Sequence, residues 1–304
     1  MDTTAQGRLR ADLALVAITA LWGATFVVVK DALANADTFS FLAMRFGVGA
    51  LVATVLAGRS LLAPGVLRYG ALLSLFLFLG FALQTAGLHS TTESRSAFIT
   101  GLAVILVPFV SVLFFRRWPQ IPSLVGVSVA VLGLYVLTGG LDGAAAGGET
   151  LVGDLLTLGC AVTFAFHIAL TERFAPRVPP VALVAVQLWG VCLLSTACLP
   201  FVETHVTWTG DLIWAVLFCG IFASALAISV QTWAQARTTA VRAALIFSLE
   251  PVFASSLSVV LGREELGQRE LVGGLLTVLA VVIAEVGNAW LARRRVARLG
   301  PTSG

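Results

Sequence analysis

The chain has 304 residues, 58% of them hydrophobic and 12% charged, with a mean hydropathy of +0.97 and a formal net charge of +3. A soluble domain carries about 25% charged residues, so this chain has too little polar surface to stay in water and its solvent is lipid. The small net charge gives no basis for nucleic-acid binding, and none is expected.

A hydrocarbon core about 30 Å thick takes about 20 apolar residues per helix. Ten segments qualify: 12–33, 39–58, 69–88, 95–115, 122–139, 152–171, 180–200, 211–233, 241–261 and 271–292. The polar stretch Met1 to Arg10 and the absence of a small-residue cleavage site make the first segment a retained transmembrane helix. It carries Trp22 and Thr25, three residues apart and therefore on one face.

Arg45 lies one-third of the way along the second segment. An arginine at mid-helix costs roughly 2.5–3.5 kcal/mol on insertion scales. It either faces a cavity, where it meets a substrate carboxylate or an acidic side chain, or it makes a structural ion pair with Asp31 or Asp37, or it snorkels to the interface. Gln84 in the third segment is either a substrate contact or an interhelical hydrogen bond. The fourth segment opens with Arg95, an anchor or gate residue with Glu93 or Asp31 as partner, and holds Phe98 and Pro108. Gly139 to Thr150 is the longest connection and divides the chain into residues 1–140 and 141–304, five segments each.

The sixth segment presents Phe164 and His167 on one face, the seventh Gln187 and Trp189, and the eighth Gln231. The ninth opens with Arg242 and holds Glu250 directly before Pro251. Proline has no N–H, so it frees the carbonyl of Phe247 beside that carboxylate. Such a site suits a cation or a proton, and the alternative is a carboxyl that merely stabilises the fold. Glu285 in the tenth segment reads as structural, reaching toward the Arg293 cluster. Trp118, Trp208, Trp214 and Trp290 lie near segment ends and read as interfacial anchors. Gly47, Gly80 and Gly126 read as close-packing positions.

The two sets of five resemble each other. Thr91-Thr92-x-x-Arg95-x-Ala97-x-Ile99-x-x-Leu102 recurs as Thr238-Thr239-x-x-Arg242-x-Ala244-x-Ile246-x-x-Leu249 at an offset of 147, which also pairs Gln84 with Gln231. At an offset of 142, Asp12 meets Asp154, Trp22 meets Phe164, Thr25 meets His167 and Arg45 meets Gln187. Five is odd, so the second set enters the membrane from the opposite side, giving an inverted repeat, a signature of alternating-access carriers. Pro108 falls four residues later than the equivalent of Pro251, so the fourth and ninth helices are expected to break at different depths.

Orientation follows the basic residues. With the N-terminus inside, Arg8, Arg10, Arg59, Arg68, Arg116, Arg117, Arg173, Arg177, Arg237, Arg242, Arg293, Arg294, Arg295 and Arg298 are cytoplasmic, against Lys30, Arg95, Arg263 and Arg269 outside. Both termini are expected in the cytoplasm and the chain in a bacterial-type inner membrane.

The five-plus-five pattern resembles the drug/metabolite transporter superfamily, in its EamA-like branch. Leu21-Trp22-Gly23-Ala24-Thr25-Phe26, Met44-Arg45-Phe46, Glu250-Pro251-Val252-Phe253 and Arg263-Glu264-Glu265 are similar to motifs of that family, and the resemblance runs from about residue 12 to 292. Within the branch the chain is similar to bacterial exporters of aromatic amino acids and related metabolites (the YddG type). The resemblance implies an all-α, ten-helix protein with a central cavity, lined by helices one to four and six to nine, with five and ten peripheral.

The resulting expectation is a secondary carrier that exports small metabolites, amino acids including aromatic ones, by alternating access. Substrate-binding candidates are Trp22, Thr25, Arg45, Gln84, Phe98, Phe164, His167, Gln187, Trp189 and Gln231. Gating or coupling candidates are Glu250, Pro108, Pro251, Arg95 and Arg242. The alternatives are a carrier of other neutral, amphipathic or phosphorylated solutes, a channel, or a membrane-embedded enzyme. No G-x-x-x-x-G-K-[ST] loop, metal-ligand spacing or arginine ladder occurs, so no cofactor, metal or ATP hydrolysis is expected. Cys160, Cys192, Cys198 and Cys219 lie in apolar segments and read as small buried hydrophobes. Partners are a small solute and the bilayer, with no obligate protein.

Overall fold

A computed structural model describes residues 5–116, 118–137, 148–262 and 267–299. The elements are α1 (Ala5–Ala32), α2 (Thr38–Ala57), α3 (Val66–Leu88), α4 (Glu93–Gly101), α5 (Ala103–Phe115), α6 (Ile121–Leu137), α7 (Gly148–Phe174), α8 (Pro180–Cys198), α9 (Gly210–Phe218), a π-helical stretch (Cys219–Leu226), α10 (Ala227–Gln235), α11 (Ala240–Phe247), α12 (Glu250–Val260) and α13 (Gln268–Leu299). Among the described residues, nine helices are long and apolar enough to cross a membrane, and Ile121–Gly133 is a shorter apolar tenth. α4 with α5, α9 with α10, and α11 with α12 each form one span. The protein is a ten-helix polytopic membrane protein.

Local sequence explains the ends of these elements. Asp37 caps α2, its carboxylate accepting from the N–H groups of Phe39 and Ser40. Thr92 caps α4 by accepting from Arg95 N–H, and Thr239 caps α11 by accepting from Arg242 N–H, each at 3.3 Å. These satisfy amides that a helix start leaves open. The fourth and ninth spans both break, and here the expectation from Pro108 fails. The breaks follow Gly101 and Phe247, at Leu102 and at Ser248-Leu249, and Leu102 and Leu249 are equivalents at the 147 offset. Pro108 lies inside α5, six residues past its break, whereas Pro251 sits in the first turn of α12, where a missing N–H is tolerated. In the first half the interruption follows a glycine, the weakest ordinary helix former. Leu102 N–H bonds to Ile99 and Ile105 N–H to Leu102, both spanning three residues rather than four.

Asp12 and Lys30 stand about 27 Å apart along α1 at 1.5 Å per residue, so they mark the two ends of the bundle, called here the near and far faces. At the near face Asp12 meets Arg242 of α11, and Glu172 of α7 accepts from Ala240 N–H at 2.6 Å. At the far face Lys30 donates to the carbonyls of Leu88 and Thr91, and Asp154 of α7 meets Arg95 of α4. The far rim is tied further by an isolated antiparallel bridge, Ala36 with Val206, and by His205 N–H donating to Asp37 at 3.1 Å.

Within the bundle α2 packs on α8, α6 on α13, and α3 on α7, while α1 lies against α10 and α12. Glycines permit the closest crossings. A Cβ on Gly49 would come within 2.7 Å of the Gly220 carbonyl, and one on Gly220 within 2.7 Å of the Arg45 carbonyl. A Cβ on Gly126 would meet Ala280 at 2.8 Å, and one on Gly80 would strike the Phe164 ring; Gly47 has only ordinary contact with Cys192. The outer surface carries exposed Leu56, Leu67, Phe109 and Val260, along with Trp118, Trp208, Trp214 and Trp290. That much exposed apolar surface is stable against lipid. The four cysteines are free thiols, with Cys160 and Cys219 buried.

Candidate functional site

A cavity of about 70 Å³, room for several waters, lies at the centre of the bundle where the two breaks face each other. α1 contributes Trp22 and Thr25, and α3 Leu77, Phe81 and Gln84. The first break contributes Thr100, Gly101, Ala103 and Val104, and α7 Phe164, His167 and Ile168. α10 contributes Ile228 and Gln231, and the second break Ala244, Phe247, Ser248 and Glu250. α2 and α8, expected among the lining helices, pack on each other behind this wall and supply no side chain to it. α6 and α13 pair at the periphery, as expected. A larger groove of about 370 Å³ beside Pro108 and Phe109 is lined by exposed Phe109 and Trp118 and holds no charged, amide or imidazole side chain.

The lining residues are related by the sequence offsets. Trp22 and Phe164, Thr25 and His167, Phe81 and Ile228, Gln84 and Gln231, Thr100 and Phe247, Gly101 and Ser248, and Ala103 and Glu250 are equivalents, and both members of every pair line the cavity. Thr100 and Phe81 were not singled out from the sequence, and Phe247 only for its carbonyl, yet the 147 offset that marked Gln84 relates them too.

Four aromatic rings, Trp22, Phe81, Phe164 and Phe247, line the cavity. Trp22 stands edge-on to Phe247 with centroids 5.4 Å apart, and Phe81 edge-on to Phe164 at 5.3 Å. Trp22 is oriented by its indole N–H, which donates to the Ala223 carbonyl at 2.9 Å. That carbonyl is free because the π-helical stretch shifts the ladder: Ala227 N–H bonds to Phe222 and Ser224 and skips Ala223. π-turns inside α-helices often occur at functional sites.

The polar groups differ in how far they are committed. Gln84 donates to Thr100 Oγ1 at 3.1 Å, and Gln231 donates to Gln235, which in turn donates to the Ile168 carbonyl, both at 2.9 Å. His167 Nε2 is 2.7 Å from Gln187 Oε1. Gln187 is fully buried behind the histidine and positions it without lining the cavity. Thr25 Oγ1 donates to the Trp22 carbonyl at 2.7 Å. No hydrogen bond or ion pair reaches the Glu250 carboxyl among the described residues.

Other sequence candidates lie elsewhere. Phe98 is 2% exposed in the packed core. Trp189 donates to Thr54 Oγ1 at 2.9 Å and ties α8 to α2. Arg45 borders a side alcove of the cavity; its expected partner Asp37 is engaged as the α2 cap, and its Nε donates instead to Ser224 Oγ at 3.0 Å. Arg95 grips Asp154 side-on, Nε at 2.9 Å from both oxygens and Nη2 at 2.6 Å, a partner not named from the sequence. The side chain of Glu285 and the turn Arg263-Glu264-Glu265 lie outside the described residues. Among the described residues no cluster of metal-ligating side chains occurs.

The comparisons with known proteins agree with this architecture. A solved structure shares the fold at a TM-score of 0.76 and 21% identity, covering 91% of this chain and 98% of that one. An "uncharacterized transporter" of Archaeoglobus fulgidus is 33% identical over 282 residues, 92% of this chain and 87% of the relative. A "probable amino-acid metabolite efflux pump" of Salmonella typhimurium is 26% identical over 294 residues, 90% of this chain and 94% of the relative. The sequence profile of the EamA-like transporter family matches residues 9–139 and again residues 151–285. This protein belongs to the EamA-like transporter family.

Proposed function

We propose that the protein is a secondary carrier that exports amino acids, aromatic ones included, by alternating access between two inverted five-helix repeats. The central cavity carries this reading: seven pairs of residues equivalent between the halves converge on one space with aromatic walls, two amides, an imidazole and a carboxyl. Aromatic faces stack on a ring or, near an amino group, give a cation–π contact of about 0.5–2 kcal/mol. Amides satisfy either end of a zwitterion without a fixed counter-charge. Several arginines or lysines would be needed for a phosphorylated solute, and they are missing from this wall. The name of the Salmonella relative points the same way.

The double match of one family profile supports the repeat. So do the two ion pairs, each joining one half to the other and each the equivalent of the other. Releasing Asp12 from Arg242 opens the near face while Asp154 and Arg95 hold the far one, and the reverse follows by the pseudo-symmetry. The arginine bias supports a reading with the near face and both termini in the cytoplasm, and the membrane is proposed to be a bacterial-type inner membrane. Glu250 is the coupling candidate, as the cavity carboxyl.

The test is uptake into proteoliposomes of purified protein, comparing phenylalanine, tryptophan, a small polar amino acid and a sugar phosphate, with and without a pH gradient. Uptake of the aromatic amino acids above empty liposomes is expected. Folded protein that moves none of them overturns the substrate assignment.

A further inference from the structure

The guanidinium of Arg45 is held in place but not neutralised. The residue is 2% exposed. Its Nε donates to Ser224 Oγ at 3.0 Å, and its plane lies against Phe46 and Phe81, 5.1 and 4.7 Å from the ring centroids. Nη2 is buried without a hydrogen-bond partner, and no carboxylate pairs with this arginine among the described residues. Arginine does not escape by losing its proton, and an unpaired charge in apolar surroundings is strongly unfavourable. Ring faces and one hydroxyl offset only part of that.

Beside this group lies an alcove of about 10 Å³, the size of a single water, lined also by Thr25, Gln84 and Thr85 and otherwise apolar. Thr25 and Gln84 line the central cavity as well, so the alcove is its side chamber. The corresponding place in the second half is chemically different: Gln187, the equivalent of Arg45, is neutral and already bonded to His167, the equivalent of Thr25. Glu250 breaks the symmetry in the opposite sense, because its equivalent is Ala103. Each half therefore contributes one ionisable side chain that the other half lacks at the equivalent position. They also stand at different levels. The Glu250 backbone packs at Gly23 of α1, through its carbonyl, whereas the alcove spans Thr25 to Val29, about one helical turn nearer the far face.

We propose that the Arg45 alcove is a carboxylate subsite, in which one oxygen of the solute's carboxylate meets the Arg45 guanidinium with Thr25 and Gln84 beside it. The transported class is then the carboxylate-bearing one, oriented with its carboxylate toward the far face and its amino group and ring in the main cavity. The orientation rests on the carrier reading above, but the anion site does not, and binding tests it without transport.

The experiment measures binding to the purified full chain, by calorimetry or thermal shift, of four probes: phenylalanine, phenylalaninamide, phenylacetate and phenylacetamide. Each carboxylate is expected to bind at least about tenfold more tightly than its amide, the size of one charge-assisted hydrogen bond. Arg45→Gln removes that difference and Arg45→Lys retains part of it. Gln84→Glu, which places a carboxylate in the alcove and leaves Arg45 intact, removes it too and guards against an Arg45 variant that fails to fold. Equal binding of acid and amide by the wild type, no binding of either acid, or full carboxylate preference in folded Arg45→Gln overturns the proposal. Carboxylate-selective binding without uptake in proteoliposomes sinks the carrier's substrate assignment and leaves the subsite standing.

Discussion

Asp12 and Arg242, 230 residues apart, meet at 2.6 Å at the near face, and their equivalents Asp154 and Arg95 meet at 2.6 Å at the far face. In each pair the aspartate lies about two turns into the first helix of one half and the arginine lies in the first turn of the broken helix of the other. Both pairs are partly shielded from solvent, with side chains between 13% and 24% exposed. That shielding reduces solvent screening of each pair and at the same time costs desolvation of both charges.

Asp154→Asn should release the far face and Asp12→Asn the near face. A cysteine introduced at Gln231 in a background lacking the native cysteines reports which side is open, through its labelling rate by a membrane-impermeant maleimide. Each variant should raise labelling from its own side by about tenfold and lower it from the other, as expected for the loss of a charge-assisted bond. The charge swap Asp154→Arg with Arg95→Asp should restore wild-type labelling. Equal effects of both single variants on both sides would argue against gating.

Glu250→Gln keeps the shape of the side chain and removes its charge and its proton. Uptake driven by a pH gradient should fall to the level of empty liposomes while exchange of solute without a gradient survives. Unchanged gradient-driven accumulation would remove Glu250 from coupling. Thermal stability measured alongside separates this outcome from loss of fold.

Gly49→Ala should destabilise the protein by about 1–3 kcal/mol, the usual range for overpacking, because the added methyl would lie 2.7 Å from the Gly220 carbonyl. That backbone oxygen cannot swing aside as a flexible side chain can. Gly47→Ala, two residues away with only a 3.4 Å contact to Cys192, should change stability little. Thermal unfolding in detergent compares them, and equal shifts would contradict the crossing geometry.

Asp37 supplies an acid-sensitive tie at the far rim. Burial works against its charged form, but hydrogen bonds from Ser40, His205 and Phe39 together outweigh it and hold the carboxyl below its ordinary value of 3.8. A lowered folded pKa means the contribution is fully present above the ordinary value and is lost as pH falls through the folded one. Stability of the wild type should therefore drop as pH falls below about 4, and Asp37→Asn, which keeps a cap but no charge, should flatten that drop. Parallel pH profiles of the two proteins would show that Asp37 does not contribute.

The sequence determined the ten spans, because lipid demands long apolar runs and nothing else in the chain competes with them. It also carried the pairing of cavity residues, since Gln84 with Gln231 and Thr25 with His167 stand at constant offsets that the structure turns into shared lining. What it could not determine was the rotation of each helix. In a membrane both lipid and protein interior are apolar, so a residue such as Phe98 bears no mark of facing the core, nor Trp189 of facing Thr54. The breaks were misjudged for a related reason: Pro108 is conspicuous, but its ring is accommodated within α5, and the interruption follows a glycine. The pairing of Arg95 with Asp154, Arg242 with Asp12 and Arg45 with Ser224 was decided only by tertiary structure, because each of these partners lies at least 59 residues away in the chain, on a helix from the other half. Composition and spacing dictate what a segment is; which side chains finally touch depends on how the two halves cross.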